Sequence, residues 1–189
     1  MASIVQDILS SHLSRTPNDN CPIVVMTCGM AGSGKTTLAK AIHFIHPTFH
    51  RISGDEIIHQ QHGIYGVDYP ASTSLYAQYQ DEQDEIYMST FRNLLAKKVD
   101  IILERSFYAK EDREEFRKIA EDAGARVVLV FLRAKGEEGK ILLWERICRR
   151  SEGVKTADSA LDIDWETFEG YWAGFEDPVG EGEVVVDLM

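Results

Sequence analysis

A doubly wound α/β domain built on a parallel sheet is the fold this sequence predicts, on three observations. Short apolar runs alternate with longer segments of helical spacing along most of the chain. The first run, Pro22–Cys28, is β-branched and continuous, as a strand buried on both faces requires. A glycine-rich turn follows that run directly and opens a helix. With 189 residues and no linker or repeat, a single domain over 1–189 is expected.

The elements follow in order. Residues 1–15 carry acidic and polar side chains inside their apolar pattern, which suits neither a signal peptide nor a membrane span. They read as an amphipathic helix with Ile4, Ile8 and Leu13 on one face. After strand Pro22–Cys28, helical spacing runs over Lys35–Ile45 and must stop before Pro47, because a residue preceding proline avoids the helical region. Phe49–Ser53 is a second strand and Asp55–Gln61 a short helix. Ser72–Lys98 is a long helix in which Tyr76, Tyr79, Ile86, Tyr87, Phe91, Leu94 and Leu95 keep helical spacing. Val99–Leu103 is the third strand. The 45 residues from 54 to 98 are too many for a plain crossover and predict a flap near 60–72. Helix Lys110–Ala123 ends at Gly124, a favourable residue for the left-handed turn that closes a helix. Its Lys110–Lys118 stretch reads as a solvated face with i,i+4 charge pairs. Strand Arg126–Leu132, helices Lys140–Ser151 and Asp164–Phe175, and strand Glu183–Val186 complete the set.

The net charge of −11 disfavours general binding to nucleic-acid backbones. Cys21, Cys28 and Cys148 have neither disulfide-framework nor zinc spacing, which points to reduced thiols and a cytoplasmic protein.

The chemistry concentrates in Gly29-Met30-Ala31-Gly32-Ser33-Gly34-Lys35-Thr36, followed by Thr37. The glycines let successive amide groups curl into an anion-sized nest, and the helix N-terminus adds positive potential. The Lys35 ammonium suits the β- and γ-phosphates of ATP or GTP, and the Thr36 hydroxyl is a hard oxygen ligand for Mg²⁺. A chance match in a chain of this length is of order 1%, so the loop is read as a nucleotide site.

This loop and the element order resemble the small P-loop kinases, nearest the zeta-toxin-like and chloramphenicol-phosphotransferase-like group, which is related to gluconate kinases and polynucleotide 5′-kinases. The resemblance implies a three-layer αβα sandwich with five parallel strands in the order 2-3-1-4-5. It makes Asp55, just after the second strand, the general base on the acceptor hydroxyl. Helix N-capping is the structural alternative for Asp55. Relatives often carry an arginine three residues further on; here that position is Ile58, and His59 is the candidate to replace it. Glu104 stands where relatives place an aspartate in the magnesium shell, and Arg105 at the same mouth is a candidate for acceptor or phosphate. Among Arg146, Arg149 and Arg150, Arg146 and Arg150 share one helix face. The resemblance makes them lid arginines, in a lid over 146–162, that neutralise charge on the transferred group. Salt bridges to Glu145 or Glu152 are the alternative.

The acceptor side is expected between Asp55, the flap and the long helix, where Tyr76, Tyr79, Gln80, Gln83 and Tyr87 suit a small polar molecule. Two other readings stay open: a nucleotide or polynucleotide 5′-kinase, and a nucleotide-dependent switch without an acceptor. A guanine-reading Asn-Lys-x-Asp sequence, which would favour the switch, does not occur.

Overall fold

The computed structural model describes residues 11–16, 19–70, 72–153, 155–157 and 162–188. Its sheet has five strands: β1 (Ile23–Cys28), β2 (His50–Ser53), β3 (Ile101–Glu104), β4 (Arg126–Arg133) and β5 (Val184–Asp187). They lie in the order β2-β3-β1-β4-β5, and every pairing is parallel. The helices are α1 (Lys35–Ile45), α2 (Gly54–His62), α3 (Thr73–Ala96), α4 (Lys110–Asp122), α5 (Gly136–Ser151) and α6 (Trp165–Gly174). The α/β sandwich and strand order expected from the sequence are those observed.

β1 explains why the sheet sits in the middle of the molecule. All six of its residues are buried. Because side chains alternate along a strand, Ile23 and Val25 join one core with Leu38 and Ile42 of α1, while Val24 and Met26 join the other. That second core holds Tyr87, Phe91 and Leu95 of α3, spaced four apart on one helix face, and Phe116 of α4. Burying one such side chain contributes about 1.5–3 kcal/mol. Leu13 packs into the first core, whereas Ile4 and Ile8 lie outside the described residues.

Helix ends follow local chemistry. α1 stops at Ile45, ahead of Pro47. The Ser72 side chain caps α3 by accepting from the Leu75 amide. Gly124, at φ +79°, follows α4 in the left-handed region. α5 starts at Gly136, four residues before the expected Lys140, because its polar first turn shows no apolar periodicity.

Arg113 departs from the solvated face expected for 110–118. It is fully buried, and its guanidinium grips Glu181 in two bonds of 2.9 and 2.7 Å. It also donates to the Phe107 carbonyl at 2.9 Å. Phe107 itself has φ +46°, an uncommon conformation for a non-glycine residue. Arg113 therefore fixes the turn between β3 and α4.

Candidate active site

The C-terminal ends of β1, β2 and β3 are level: Thr27 and Ser53 both pair with Glu104. In an open parallel sheet this edge is where ligands bind. A cleft of about 790 Å³ opens there.

The glycine-rich turn forms one end of the cleft. Gly29, Gly32 and Gly34 have φ of +147°, +78° and +98°. Gly32 is also required by a close approach, since a Cβ there would lie 2.8 Å from the Leu143 carbonyl oxygen of α5. Ala31, Gly32, Gly34, Lys35, Thr36 and Thr37 line the cleft. Gly29, Met30 and Ser33 stand behind them: the Met30 side chain packs with Leu143, Ile147 and Phe168, and Ser33 is buried.

The Lys35 ammonium donates to the carbonyls of Gly29 and Met30, each at 2.9 Å. Burial pushes its pKa down to about 8, against the pull of the Glu104 carboxylate. The Thr36 hydroxyl donates to Oε1 of Glu104, the last residue of β3. Oε2 of Glu104 accepts from Nε of Arg51 at 2.6 Å, and Nη1 of Arg51 donates to Glu56 at 2.7 Å. Thr36 and Glu104 thus bring a hydroxyl and a carboxylate to one point beside the loop. Two hard oxygen donors suit Mg²⁺, which keeps most of its sites for water and phosphate oxygens. No cluster of three or more metal-ligating acids, histidines or cysteines occurs among the described residues.

α5 supplies the roof at this end. Leu143 and Ile147 are buried against the loop, so the helix face they define is fixed. Arg146 and Arg150 line the cleft and Arg149 is exposed outside it. The alternative of ion pairs to Glu145 or Glu152 is not seen among the described residues. Residues 154 and 158–161 of the expected lid lie outside the described residues; Ala157 and Ile163 line the cleft.

The other end is built by α2, α3 and the residues after β3. Asp55 lies in the first turn of α2 rather than at its N-cap, which is Ser53. Asp55, Ile58 and His59 line the cleft together with Tyr76, Gln80, Gln83 and Tyr87 of α3. Arg105 lines it too, but its Nη1 is paired with Asp84 at 2.7 Å. Its guanidinium lies 5.8 Å from the Tyr87 ring centroid and 5.7 Å from that of Phe116. Of the expected flap, residues 60–62 belong to α2. The connection that follows is pinned by the Ile64 amide donating to Asp68 at 2.7 Å. Its aromatic side chains pack on α3: Tyr65 meets Tyr76 edge-on at 5.2 Å, and Tyr69 meets Tyr79 at 5.1 Å. Tyr69 reaches the cleft.

Asp55, His59, Tyr76, Glu104, Arg105, Arg146 and Arg150 therefore line one cleft, whereas two other residues selected from the sequence do not: Arg149 is exposed outside it, and Tyr79 stacks on His62 at 3.5 Å instead. Sequence reasoning missed Arg51, Asp84 and Tyr69. Arg51 and Asp84 act through partners 53 and 21 residues away, a relation no local motif carries.

No helix of the described residues is long and apolar enough to cross a membrane. A search of curated proteins finds no match. Among solved structures, the chain is similar to a provisionally named kinase from Chloroflexus aurantiacus, with TM-score 0.69 and 19% identity over 88% of each chain. It is similar to a gluconokinase from Sinorhizobium meliloti, with TM-score 0.52 and 21% identity over 89% of this chain and 82% of that one. It is also similar to the APS kinase of Mycobacterium tuberculosis, solved with AMPPNP and APS, with TM-score 0.51 and 17% identity over 88% of each chain. These likenesses establish the fold of the P-loop kinases. Residues 24–176, most of the domain and the whole phosphate-loop end of the cleft, match the AAA domain family, and the chain belongs to that family.

Proposed function

We propose that this chain is a kinase that transfers the γ-phosphoryl group of ATP or GTP to a hydroxyl of a small molecule. The observation that carries this reading is that one cleft holds the Lys35 ammonium, the Arg146 and Arg150 guanidiniums and the Asp55 carboxylate. Cations are needed where negative charge develops on the transferred group, and a carboxylate where the attacking alcohol loses its proton.

In the reaction, the loop from Gly29 to Thr37 holds the triphosphate. Lys35 binds the β- and γ-phosphoryl oxygens, and Arg146 and Arg150 stabilise the charge on the equatorial oxygens. Asp55 accepts the proton of the acceptor hydroxyl as its oxygen bonds to γ-phosphorus and the bond to the β–γ bridging oxygen breaks. Mg²⁺, which Thr36 and Glu104 would hold, supplies charge neutralisation on the phosphate oxygens when bound. His59 and Tyr76 orient the acceptor. The zeta-toxin-like or chloramphenicol-phosphotransferase-like group is the finer assignment. It is supported by Asp55 directly after β2 and by paired arginines on α5.

A nucleotide switch would need no second compartment. The α2–α3 end of the cleft, beyond the loop, supports a kinase instead. The test is ATP consumption with and without a metabolite pool. Asp55→Asn should lower acceptor-dependent turnover by roughly 10²–10⁴-fold and leave ATP affinity unchanged. Slow hydrolysis that is indifferent both to the pool and to Asp55→Asn would sink the kinase reading.

A further inference from the structure

The Thr36–Glu104 pair has a third member. Side chains alternate along a strand, and Ile102 of β3 joins the core beneath α1, so Glu104, two residues on, stands on that same face. On β2, Ile52 joins the opposite core, which leaves Arg51 on the face of α1 as well. Ser53 is level with Glu104, and Arg51 lies two residues back on the neighbouring strand. Its side chain therefore runs about 7 Å along the sheet to reach the carboxylate. Nε of Arg51 donates to Oε2 of Glu104 at 2.6 Å, while Oε1 accepts from the Thr36 hydroxyl.

Two features set this contact apart from a surface ion pair. Both side chains are largely buried, 11% exposed for Arg51 and 7% for Glu104. Removing one partner of such a pair strands the other charge, whereas an exposed pair is easily replaced by water. In addition, Nη1 of Arg51 donates to Glu56 at 2.7 Å. A guanidinium is a rigid planar fork, so bonds to two different carboxylates fix its rotation. A fixed donor on one oxygen and a hydroxyl on the other then fix the rotation of the Glu104 carboxylate. Glu56 follows Asp55 in the first turn of α2, so the same guanidinium also ties that turn to the end of β3.

We propose that Arg51 is a positioning residue for the metal side of the cleft. Its fork holds Glu104 by one oxygen, is itself held by Glu56, and leaves the other Glu104 oxygen beside Thr36. The proposal rests on the reading that Thr36 and Glu104 hold Mg²⁺, and it adds a residue that acts through Glu104 alone. Its sign is distinctive. By charge alone a nearby cation repels a divalent ion, so removing it would tighten metal binding. Orientation acts the other way: removing Arg51 frees the Glu104 carboxylate and loosens metal binding.

The test uses the full chain in excess over ADP and reads bound and free Mn²⁺ by electron paramagnetic resonance. Mn²⁺ takes the same oxygen donors as Mg²⁺. Arg51→Met should weaken Mn²⁺ binding about tenfold. ADP affinity in EDTA, measured by calorimetry, should be unchanged. Arg51→Lys keeps the charge but offers a point of contact instead of a fork, and should weaken Mn²⁺ binding by about threefold or more. It carries the test where Arg51→Met does not fold. Glu104→Gln should itself bind Mn²⁺ more weakly, and adding Arg51→Met to it should change nothing further. Tighter Mn²⁺ binding in Arg51→Met, wild-type affinity in Arg51→Lys, an equal loss of ADP affinity in EDTA, or losses that multiply in the double variant would each overturn the proposal and leave the metal reading intact. Unchanged Mn²⁺ binding in Glu104→Gln would overturn the metal reading, and this proposal with it.

Discussion

The Thr36 hydroxyl donates to Oε1 of Glu104, so the first turn of α1 and the last residue of β3 meet through a single pair of oxygens. The two residues are 68 positions apart, and the parallel pairing of β1 with β3 brings them together. If this pair faces the metal, Glu104→Gln should raise the Mg²⁺ concentration for half-maximal ATP turnover by about 10–100-fold. A Mg²⁺ titration at saturating ATP checks it, and an unchanged midpoint removes Glu104 from the metal shell.

Lys35 sets a pH dependence. Its pKa of about 8 in the folded protein lies below the ordinary 10.5 because burial disfavours the ammonium. Triphosphate binding needs the charged form, so affinity should hold below pH 8 and fall as pH rises through that value. Between pH 8 and 10.5 the unfolded chain binds more protons, so the contribution of Lys35 to folding stability rises with pH across that window. Calorimetry near pH 8 in buffers of different ionisation enthalpy should show uptake of about half a proton on ATP binding. Affinity that stays flat to pH 9.5 would contradict the shift.

Arg150 and Arg149 are adjacent on α5 but differ in direction, one lining the cleft and the other exposed outside it. Arg150→Met should lower kcat by roughly 10²–10³-fold, and Arg149→Met should leave it within twofold. Steady-state kinetics on the two variants separate a site arginine from a surface one.

Arg113→Met should destabilise the fold by about 3–5 kcal/mol, because it leaves the Glu181 carboxylate partly buried without its partner. Adding Glu181→Leu should recover most of that loss. Urea unfolding of the single and double variants measures both, and an additive double variant would show that the pair is not coupled.

Gly32→Ala combines a positive φ with a Cβ only 2.8 Å from the Leu143 carbonyl oxygen. The expected cost is about 2–3 kcal/mol in thermal stability, together with weaker ATP binding as α5 is pushed from the loop. A variant of unchanged Tm would show that the helix yields freely.

Much of this was legible in the sequence because the informative signals are local. The continuous β-branched run over β1, the helical spacing of Tyr87, Phe91 and Leu95, and the glycine spacing from Gly29 to Gly34 each act within a few residues. Strand positions therefore agree to within one or two residues. What stayed hidden depends on distant pairing. Arg113 sits among charged neighbours that mark a wet face, and only the approach of Glu181 makes its burial tolerable. Arg105 reads as a free cation until α3 brings Asp84 beside it. Tyr69 and Tyr79 come from two separate elements, and their edge-on contact exists only after the flap folds onto α3.

The contact between Gly32 and Leu143 bears on timing. α5 is bolted to the phosphate loop at its midpoint, and Arg146 and Arg150 project within two turns of that bolt. The guanidiniums are thus stationed before any substrate arrives, like fixed electrodes rather than a swinging arm.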